Sequence, residues 1–217
     1  MSPPGSRDPG AGRWLDLARR ATGFMPDEEG LALHRAALDA GRSGLGPLVE
    51  VGAYCGRSTL YLASAARSAG TVLYSVDHHR GSEENQAGWE HHDPTLVDAR
   101  TGRMDTLGRW RATVEATGLE EWVVGVVGRS ATVSAHWRTP LCFLLIDGGH
   151  GTEPAWADYR GWAPWVAKGG LLAMHDVFTD PADGGRPPYE IWLEAVASGR
   201  FAEAGSCGSL RLLRRIG

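Results

Sequence analysis

Short apolar runs alternate with helical patterns along most of the chain. The runs that predict strands lie at residues 47–51, 71–77, 122–127, 141–146 and 171–174. Several stretches between them carry apolar positions at the three- and four-residue spacing of a helix. The run at 141–146 is apolar at every position, as expected of a central strand with both faces buried. Strands that alternate with helices in this way favour a parallel sheet covered by helices.

Further elements are predicted at both ends of this pattern. Helical spacing relates Trp14, Leu17, Ala18 and Ala21, and residues 27–40 predict a second helix. Residues 201–206 and 209–213 are interpreted as the two strands of a terminal hairpin. The whole pattern predicts an α/β fold: a Rossmann-like, seven-stranded, mostly parallel sheet with an antiparallel last strand, helices on both faces and an N-terminal helical extension.

A chain of 217 residues is expected to form one domain. Residues 1–12 are rich in Pro and Gly and predict a loose N-terminus, residues 13–46 carry the N-terminal helices, and residues 47–217 form the single sheet domain. Within it, residues 78–108 have little apolar periodicity and are interpreted as a lid-like insertion. We interpret its two His-His pairs as polar loop residues rather than a metal site, since adjacent histidines point in different directions.

Composition excludes several classes of partner. The formal net charge of −4 offers no broad basic surface, so neither nucleic acid nor an anionic membrane is expected as a partner. No apolar run approaches the roughly 18 to 20 residues that span a bilayer, and the first residues lack a signal-peptide core, so we expect a cytoplasmic protein. Three widely spaced cysteines, Cys55, Cys142 and Cys207, predict reduced thiols rather than a disulfide framework.

A glycine-containing turn follows the first predicted strand and marks a binding site. Residues 50–58 have the form E-x-G-x-x-x-G-x-S, with Gly52 and Gly56 between a strand and a helix. Glycines permit unusual backbone angles and close approach of a ligand, and a helix N-terminus favours a polar or anionic group. The dinucleotide pattern G-x-G-x-x-G is absent, which argues against an oxidoreductase. Asp77 ends the second strand, where its carboxylate is placed to accept hydrogen bonds from a ribose diol.

Four strand ends carry residues that are able to bind a ligand or take part in catalysis. These are the glycine turn after the first strand, Asp77 after the second, residues 147–150 after the fourth and residues 175–176 after the fifth. Ligands of open α/β sheets bind outside the carboxyl ends of the strands, so we expect these residues to line one crevice.

The same residues carry a family resemblance that covers roughly residues 27–213. Glu29-Gly30-Leu31, the stretch 49–58, Ile146-Asp147-Gly148-Gly149-His150 and Met174-His175-Asp176-Val177 together resemble class I S-adenosylmethionine-dependent methyltransferases. The subgroup is that of macrocin-type sugar O-methyltransferases and cephalosporin-hydroxylase-like proteins. The abundance of Arg and the single Lys168 agree with an actinobacterial member, such as a mycobacterial enzyme that methylates a mannose polysaccharide.

The resemblance implies a binding site for S-adenosylmethionine. The glycine turn would hold its methionine part, Asp77 its ribose, and the loop after the third strand its adenine. The cofactor-binding residues expected on this basis are Glu50, Gly52, Ala53, Tyr54, Gly56, Ser58, Asp77, His78, Ser130 and Asp147. For Ser130, a role as helix N-cap remains an alternative.

Transfer of a methyl group to a hydroxyl requires alignment of the acceptor and removal of its proton. A divalent cation lowers the pKa of a bound hydroxyl, and Mg²⁺ prefers oxygen ligands, so Asp147 and Asp176 are the expected metal pair. His175 is the candidate third ligand, although macrocin-type enzymes have an acid at its position. His150 is the expected general base, with Asp147 also assigned to the catalytic centre and Glu153 in reserve.

Several alternatives remain open. Asp147 could hold only the cofactor amine, His150 could only close its turn, and residues 175–176 could form a structural corner. The preferred function is a metal-assisted O-methyltransferase that acts on a small molecule or saccharide, with polar residues of 78–98 and Trp89 favouring the saccharide. A metal-independent methyltransferase using His150, or a non-catalytic cofactor-binding protein, are the alternatives. The resemblance also implies a homo-oligomer, here expected to be a dimer.

Overall fold

The computed structural model describes residues 11–217, with side chains from Trp14 onward. The loose N-terminus predicted for residues 1–12 therefore lies outside the described residues, except for Ala11 and Gly12, which belong to the first helix. Helices and strands alternate along the chain as the hydrophobic pattern predicts.

The two N-terminal helices lie within a few residues of their predicted positions, and five further helices follow along the chain. Their bounds are α1 (Ala11–Arg20), α2 (Asp27–Gly41), α3 (Arg57–Ala69), α4 (Leu107–Glu115), α5 (Ser130–His136), α6 (Thr152–Trp162) and α7 (Arg186–Ala197). The strands are β1 (Leu48–Val51), β2 (Leu73–Asp77), β3 (Val97–Asp98), β4 (Arg103–Met104), β5 (Val123–Val127), β6 (Leu141–Ile146), β7 (Val166–Met174), β8 (Phe201–Cys207) and β9 (Leu210–Arg215).

Seven strands form one sheet in the order β5-β2-β1-β6-β7-β9-β8. The strands from β5 to β7 in this order are parallel, and β9 runs antiparallel to both of its neighbours. The predicted fold class is confirmed, including the antiparallel last strand. Val51 lies in register with Val76 and with Ile146, and Ile146 with Met174. The carboxyl ends of β1, β2, β6 and β7 therefore lie along one edge of the sheet.

One layer of helices covers each face of this sheet, and the core lies between the sheet and these two layers. All six residues of β6 are buried, as expected for a central strand. One layer packs Tyr159 and Trp162 of α6 against the sheet, and the other packs Leu33 of α2 and Leu62 of α3. Trp162 is fully buried and Tyr159 nearly so, which makes these two aromatic rings part of the core.

Two local expectations differ from the structure. The fifth strand is predicted to begin at residue 171, but β7 begins at Val166 and is irregular opposite Leu141 and Phe143. The insertion at residues 78–108 contains two short 3-10 helices (Glu83–Asn85 and Pro94–Leu96) and the β3-β4 hairpin. Hydrogen bonds by small polar side chains organise this segment, so hydrophobic periodicity gave no sign of it.

Within residues 11–217, no helix is both long enough and apolar enough to cross a membrane. The three cysteines are free thiols, and Cys55 and Cys142 are buried.

Candidate functional site

A cleft of about 1550 Å³ lies at the carboxyl edge of the sheet, between the strand ends and the insertion at residues 78–108. Most of the predicted cofactor-binding residues line it: Gly52, Ala53, Tyr54, Ser58, Asp77, His78, Ser130 and Asp147. The remaining chemical candidates, His150, His175, Asp176 and Glu153, line it as well. The strand ends therefore bring together residues that are far apart in sequence. Glu50 and Gly56 are the two predicted site residues that do not line the cleft.

The carboxylate of Asp77 organises the glycine turn. Its Oδ2 accepts hydrogen bonds from the backbone N–H groups of Ala53 (2.9 Å) and Tyr54 (2.8 Å). Its Oδ1 accepts the N–H of His79 at 2.7 Å. Tyr54 and His79 have φ values of 48° and 57°, which are costly for residues other than glycine and are often found at functional sites. Asp77 thus stabilises a strained turn at the floor of the cleft.

Gly52 allows two strand ends to approach each other closely. Its φ is 90°, and a Cβ atom at this position would lie 2.1 Å from the carbonyl oxygen of Asp147. The amide of Asp147 in turn donates to the carbonyl of Val51 at 2.9 Å. The first glycine therefore places the Asp147 backbone beside the cofactor turn. Gly56 has a φ of 98° and caps the N-terminus of α3 behind the turn.

Glu50 lies beneath the turn and is fully buried. Its oxygens accept hydrogen bonds from three hydroxyl groups: Ser58 at 3.0 Å, Thr59 at 2.5 Å and Ser75 at 2.6 Å. These contacts connect β1, β2 and α3. Glu50, which is expected from sequence to bind the cofactor, therefore supports the turn from beneath. Burial raises the pKa of Glu50 to about 7, although the three hydroxyl groups oppose this shift.

We expect the buried Glu50 to make stability depend on pH. Because its folded pKa is raised from 4.5 to about 7, its contribution to stability is complete below pH 4.5 and is lost as pH rises through 7. A Glu50→Gln variant lacks this ionisation, so the variant should gain up to about 3 kcal/mol relative to the wild type between pH 4.5 and pH 8. Urea unfolding of both proteins across this range measures the difference. A difference that does not change with pH would contradict a buried, titrating Glu50.

Ser130 and Asp158 form a hydrogen-bonded polar pair on the wall of the cleft. Ser130 is the first residue of α5, whose N-cap is Arg129, so the N-cap alternative for Ser130 is wrong. Its hydroxyl accepts the indole N–H of Trp162 at 2.7 Å. Asp158 is only 6% exposed, and burial raises its pKa to about 6 while a hydrogen bond with Ser130 opposes the shift. An acceptor of this kind suits a ligand with an amino group.

His175 lies at the centre of a buried carboxylate cluster. Its Nδ1 is 3.0 Å from Oδ1 of Asp147 and 3.3 Å from Oδ2 of Asp176, and its Nε2 is 2.6 Å from Oε2 of Glu29. Although burial opposes ionisation, these carboxylates raise the pKa of His175 far above its usual value. The imidazole is therefore cationic when nothing else neutralises the carboxylates.

His150 connects the cluster to the insertion. Its Nε2 lies 3.0 Å from Oδ2 of Asp176, and its Nδ1 lies 3.1 Å from Oε2 of Glu84. The two carboxylates raise the pKa of His150 to about 10 against the effect of burial. His150 in turn lowers the pKa of Glu84, and both histidines lower that of Asp176 against the effect of burial. In this arrangement His150 carries its proton at neutral pH, so it can act as a base only when Asp176 is engaged by another cation.

Asp147, His175 and Asp176 meet the geometric requirement for a metal site. One ligand atom from each lies within 4.8 Å of the others, the one group of this kind among residues 11–217. Asp176 adopts a φ of 56°, a strained conformation that directs its carboxylate toward both histidines. Two carboxylates and one imidazole suit divalent cations that accept mixed oxygen and nitrogen ligands. The residues present therefore fit a divalent metal ion.

Three residues of this site were missed as site candidates by sequence reasoning. Glu29 belongs to α2, Glu84 to the insertion and Asp158 to α6. Glu29 belongs to a string that carries the family resemblance, and Glu84 lies in the insertion, but neither is among the expected site residues. No spacing rule relates these residues to the strand ends, because tertiary packing alone brings them together.

Comparison with known proteins identifies relatives of this fold. Residues 49–177, more than half of the chain, match the family described as "Methyltransferase domain". The O-methyltransferase NovP has a similar structure, with a TM-score of 0.68 and 16% identity over 88% of this chain and 81% of NovP. The O-methyltransferase of Bacillus cereus, solved in complex with SAH, has a TM-score of 0.62 and 14% identity over 97% of this chain and 92% of that protein.

A third similar structure contains the methyl donor. TomG of Streptomyces achromogenes is an O-methyltransferase involved in tomaymycin synthesis, solved in complex with SAM. It has a TM-score of 0.60 and 16% identity over 98% of this chain and 92% of TomG. At these levels of identity the structural matches establish the fold, and residues 49–177 carry the family assignment.

Proposed function

The chain belongs to the methyltransferase-domain family, and we propose that it is an S-adenosylmethionine-dependent O-methyltransferase that acts on a hydroxyl group of a small molecule. The main support for this proposal is that two features lie in the same cleft. One is the glycine turn whose backbone is held by Asp77, and the other is the cluster of Asp147, His150 and Asp176. A protein that only binds the cofactor has no need of proton-accepting groups at this place. The similar structures named above are O-methyltransferases.

The cofactor is proposed to lie along the carboxyl edge from β1 to β5. Asp77 retains acceptor capacity for a ribose diol, and residues 52–54 line the cleft together with Asp147. Ser130 and Asp158 border the adenine end, where the Asp158 carboxylate suits the exocyclic amino group. Glu50 and Gly56 contribute by supporting the turn and by starting α3. The remaining predicted cofactor residues, Ser58 and His78, lie on the cleft wall.

We propose that Asp147, His175 and Asp176 hold a divalent cation, with Mg²⁺ as the first candidate. When bound, such an ion lowers the pKa of an acceptor hydroxyl and fixes its position. The protein residues would hold the acceptor in line with the methyl group of the donor, which replaces a bimolecular encounter by a fixed geometry. His150 would then take up the acceptor proton, because a cation on Asp176 would weaken the contact that otherwise keeps the imidazole protonated. Glu153 lies exposed at the margin of the cleft and remains the reserve for this step.

A saccharide is the proposed acceptor class. The cleft presents exposed aromatic rings beside charged and polar groups, which together suit the C–H faces and hydroxyl groups of a sugar. Phe24 is 56% exposed and its ring lies 5.3 Å from that of Tyr54 and 4.6 Å from that of His91. Trp89 is 53% exposed and also borders the cleft. The mannose-polysaccharide enzymes named by the resemblance define the first acceptors to test, and a homodimer remains part of the proposal.

Removal of metal provides the first functional test. Purified protein is incubated with methyl-labelled S-adenosylmethionine and a panel of mannose oligosaccharides, other sugars and catechols, before and after treatment with EDTA. We expect label in a saccharide, at least about 10²-fold less after EDTA, and recovery when Mg²⁺ is restored. Turnover that is indifferent to chelator would support the metal-independent mechanism through His150. Cofactor binding without turnover of any acceptor would support a binding protein.

A further inference from the structure

We propose that Glu29 is the positioning residue that makes His175 a metal ligand: it accepts a hydrogen bond from Nε2–H, which leaves the Nδ1 lone pair directed between Asp147 and Asp176. The inference rests on the proposed cation site. It assigns a function to a residue of the N-terminal extension, which lies outside the matched segment 49–177.

The carboxylate of Glu29 is buried, and both of its oxygens accept hydrogen bonds. It is 6% exposed. Its Oε1 accepts the backbone N–H of Ser209 at 2.7 Å, while Oε2 accepts the Ser209 hydroxyl at 3.1 Å and faces His175 Nε2 at 2.6 Å. One residue thus joins α2, the turn between β8 and β9, and the end of β7.

The surrounding backbone is shaped to hold this carboxylate. Gly208 has a φ of 53°, and a Cβ atom there would lie 2.0 Å from Oε1 of Glu29. Gly30 permits close contact with α3, since a Cβ atom would lie 2.3 Å from the ring of Tyr61. The N–H of Val177 donates to the carbonyl of Ser209 at 3.0 Å, which fixes the turn against the segment that carries His175. The surrounding backbone therefore holds the Glu29 carboxylate against Ser209 and His175.

This arrangement determines which nitrogen of His175 is available. The hydrogen bond made by one ring nitrogen sets the tautomer, and a carboxylate can only accept. Nε2 must therefore carry a hydrogen, and Nδ1 faces Oδ1 of Asp147 and Oδ2 of Asp176 at 3.0 and 3.3 Å. A carboxylate behind a metal-binding histidine orients the ring in this way in many metal sites.

Substitution of Glu29 by Gln tests the tautomer with little change of shape. The backbone N–H of Ser209 can only donate, so the Gln carbonyl oxygen must face it and the amide NH₂ must face His175 Nε2 and the Ser209 hydroxyl. His175 Nε2 then becomes the hydrogen-bond acceptor and Nδ1 carries the hydrogen. Nδ1 therefore has no free lone pair with which to bind a metal. All hydrogen bonds remain possible, so Glu29→Gln is expected to fold.

The measurement is the affinity of the full-length protein for Mn²⁺ alone and for Mg²⁺ alone, by calorimetry without cofactor or acceptor. We expect Glu29→Gln to weaken Mn²⁺ binding by about 10- to 100-fold. Mg²⁺ binding should weaken less, because nitrogen ligands favour Mn²⁺ over Mg²⁺. A purely structural role would weaken both ions alike. Glu28→Gln is the matched control, since Glu28 precedes Glu29 in the same helix and is exposed.

Two further comparisons make the proposal falsifiable. In a His175→Ala background, Glu29→Gln should cause no additional loss of Mn²⁺ affinity, because Glu29 acts through that ring. If Glu29→Gln does not fold by thermal unfolding, Glu29→Asp keeps the charge, withdraws it by one methylene and should show the same loss of Mn²⁺ preference. Wild-type Mn²⁺ affinity in a folded Glu29 variant would overturn the role of Glu29 alone. Failure of the wild type to bind either ion would overturn the cation site as well.

Discussion

Exchange of Asp147 for Asn is expected to lower kcat on the order of 10³-fold, the largest effect of any single polar substitution in the cleft. The Asp147 side chain faces the cleft and lies 3.0 Å from His175 Nδ1, so it contributes one of the two carboxylates proposed to hold the cation. Asn keeps the size of the side chain but removes its negative charge. We also expect Mg²⁺ affinity to fall by at least about 100-fold, because carboxylate charge dominates such sites.

Cofactor binding separates this loss from a general disturbance of the site. The affinity for S-adenosylmethionine should fall much less than kcat, since Asp77 and the glycine turn are unchanged in the variant. Asp39→Asn is the matched control, because Asp39 is exposed on α2 and does not line the cleft. Activity within about tenfold of the wild type in Asp147→Asn would contradict a catalytic metal at this position.

The sheet and its polar edge were predictable because their signals are local in sequence. The fully apolar run of β6 indicates a central strand, and a parallel sheet brings strand ends to one edge. Gly52, Asp77 and Asp147 each stand at the end of such a run, and Asp176 lies two residues after one, so their convergence required no knowledge of tertiary contacts. The structure places all four beside the same cleft.

The roles of individual side chains within the cleft were less predictable, because they depend on which atoms a side chain meets. Glu50 sits at the end of a strand like the other acids, but its side chain points into three hydroxyl groups instead of the cleft. Successive residues of a strand point to opposite faces, and the twist of the strand end decides which face opens into a ligand site. Sequence position alone does not settle this choice.

Contacts between elements that are distant in sequence were not predictable from the sequence pattern. His150 was expected to be a neutral base, but its position between Glu84 and Asp176 raises its pKa to about 10. Glu84 comes from the insertion and Glu29 from α2, and neither has a fixed spacing from the residue it contacts. The protonation state of the cluster follows from this packing, so it appears only in the folded structure.

The second large effect is expected for cofactor binding in an Asp77→Asn variant. One Asp77 oxygen accepts the N–H groups of Ala53 and Tyr54, and the other accepts the N–H of His79. Asn has one acceptor oxygen, so its NH₂ group must face at least one backbone donor, and a hydrogen bond to a charged acceptor is worth about 1.5–3 kcal/mol. The strained residues Tyr54 and His79 would relax once these bonds are lost.

Loss of the turn and of the proposed ribose acceptor together is expected to weaken S-adenosylmethionine binding by about 100-fold or more, since every 1.4 kcal/mol changes affinity tenfold. Calorimetry without metal measures this loss of affinity. The Asp77→Asn substitution should leave the Mg²⁺ affinity of the site formed by Asp147, His175 and Asp176 within a few-fold of the wild type. Asp39→Asn again serves as the control. Because Asp147→Asn should show the reverse pattern, the two variants separate the cofactor half of the cleft from its metal half. Equal loss of both affinities in both variants would mean that the cleft responds as a single unit, contrary to the division argued from these contacts.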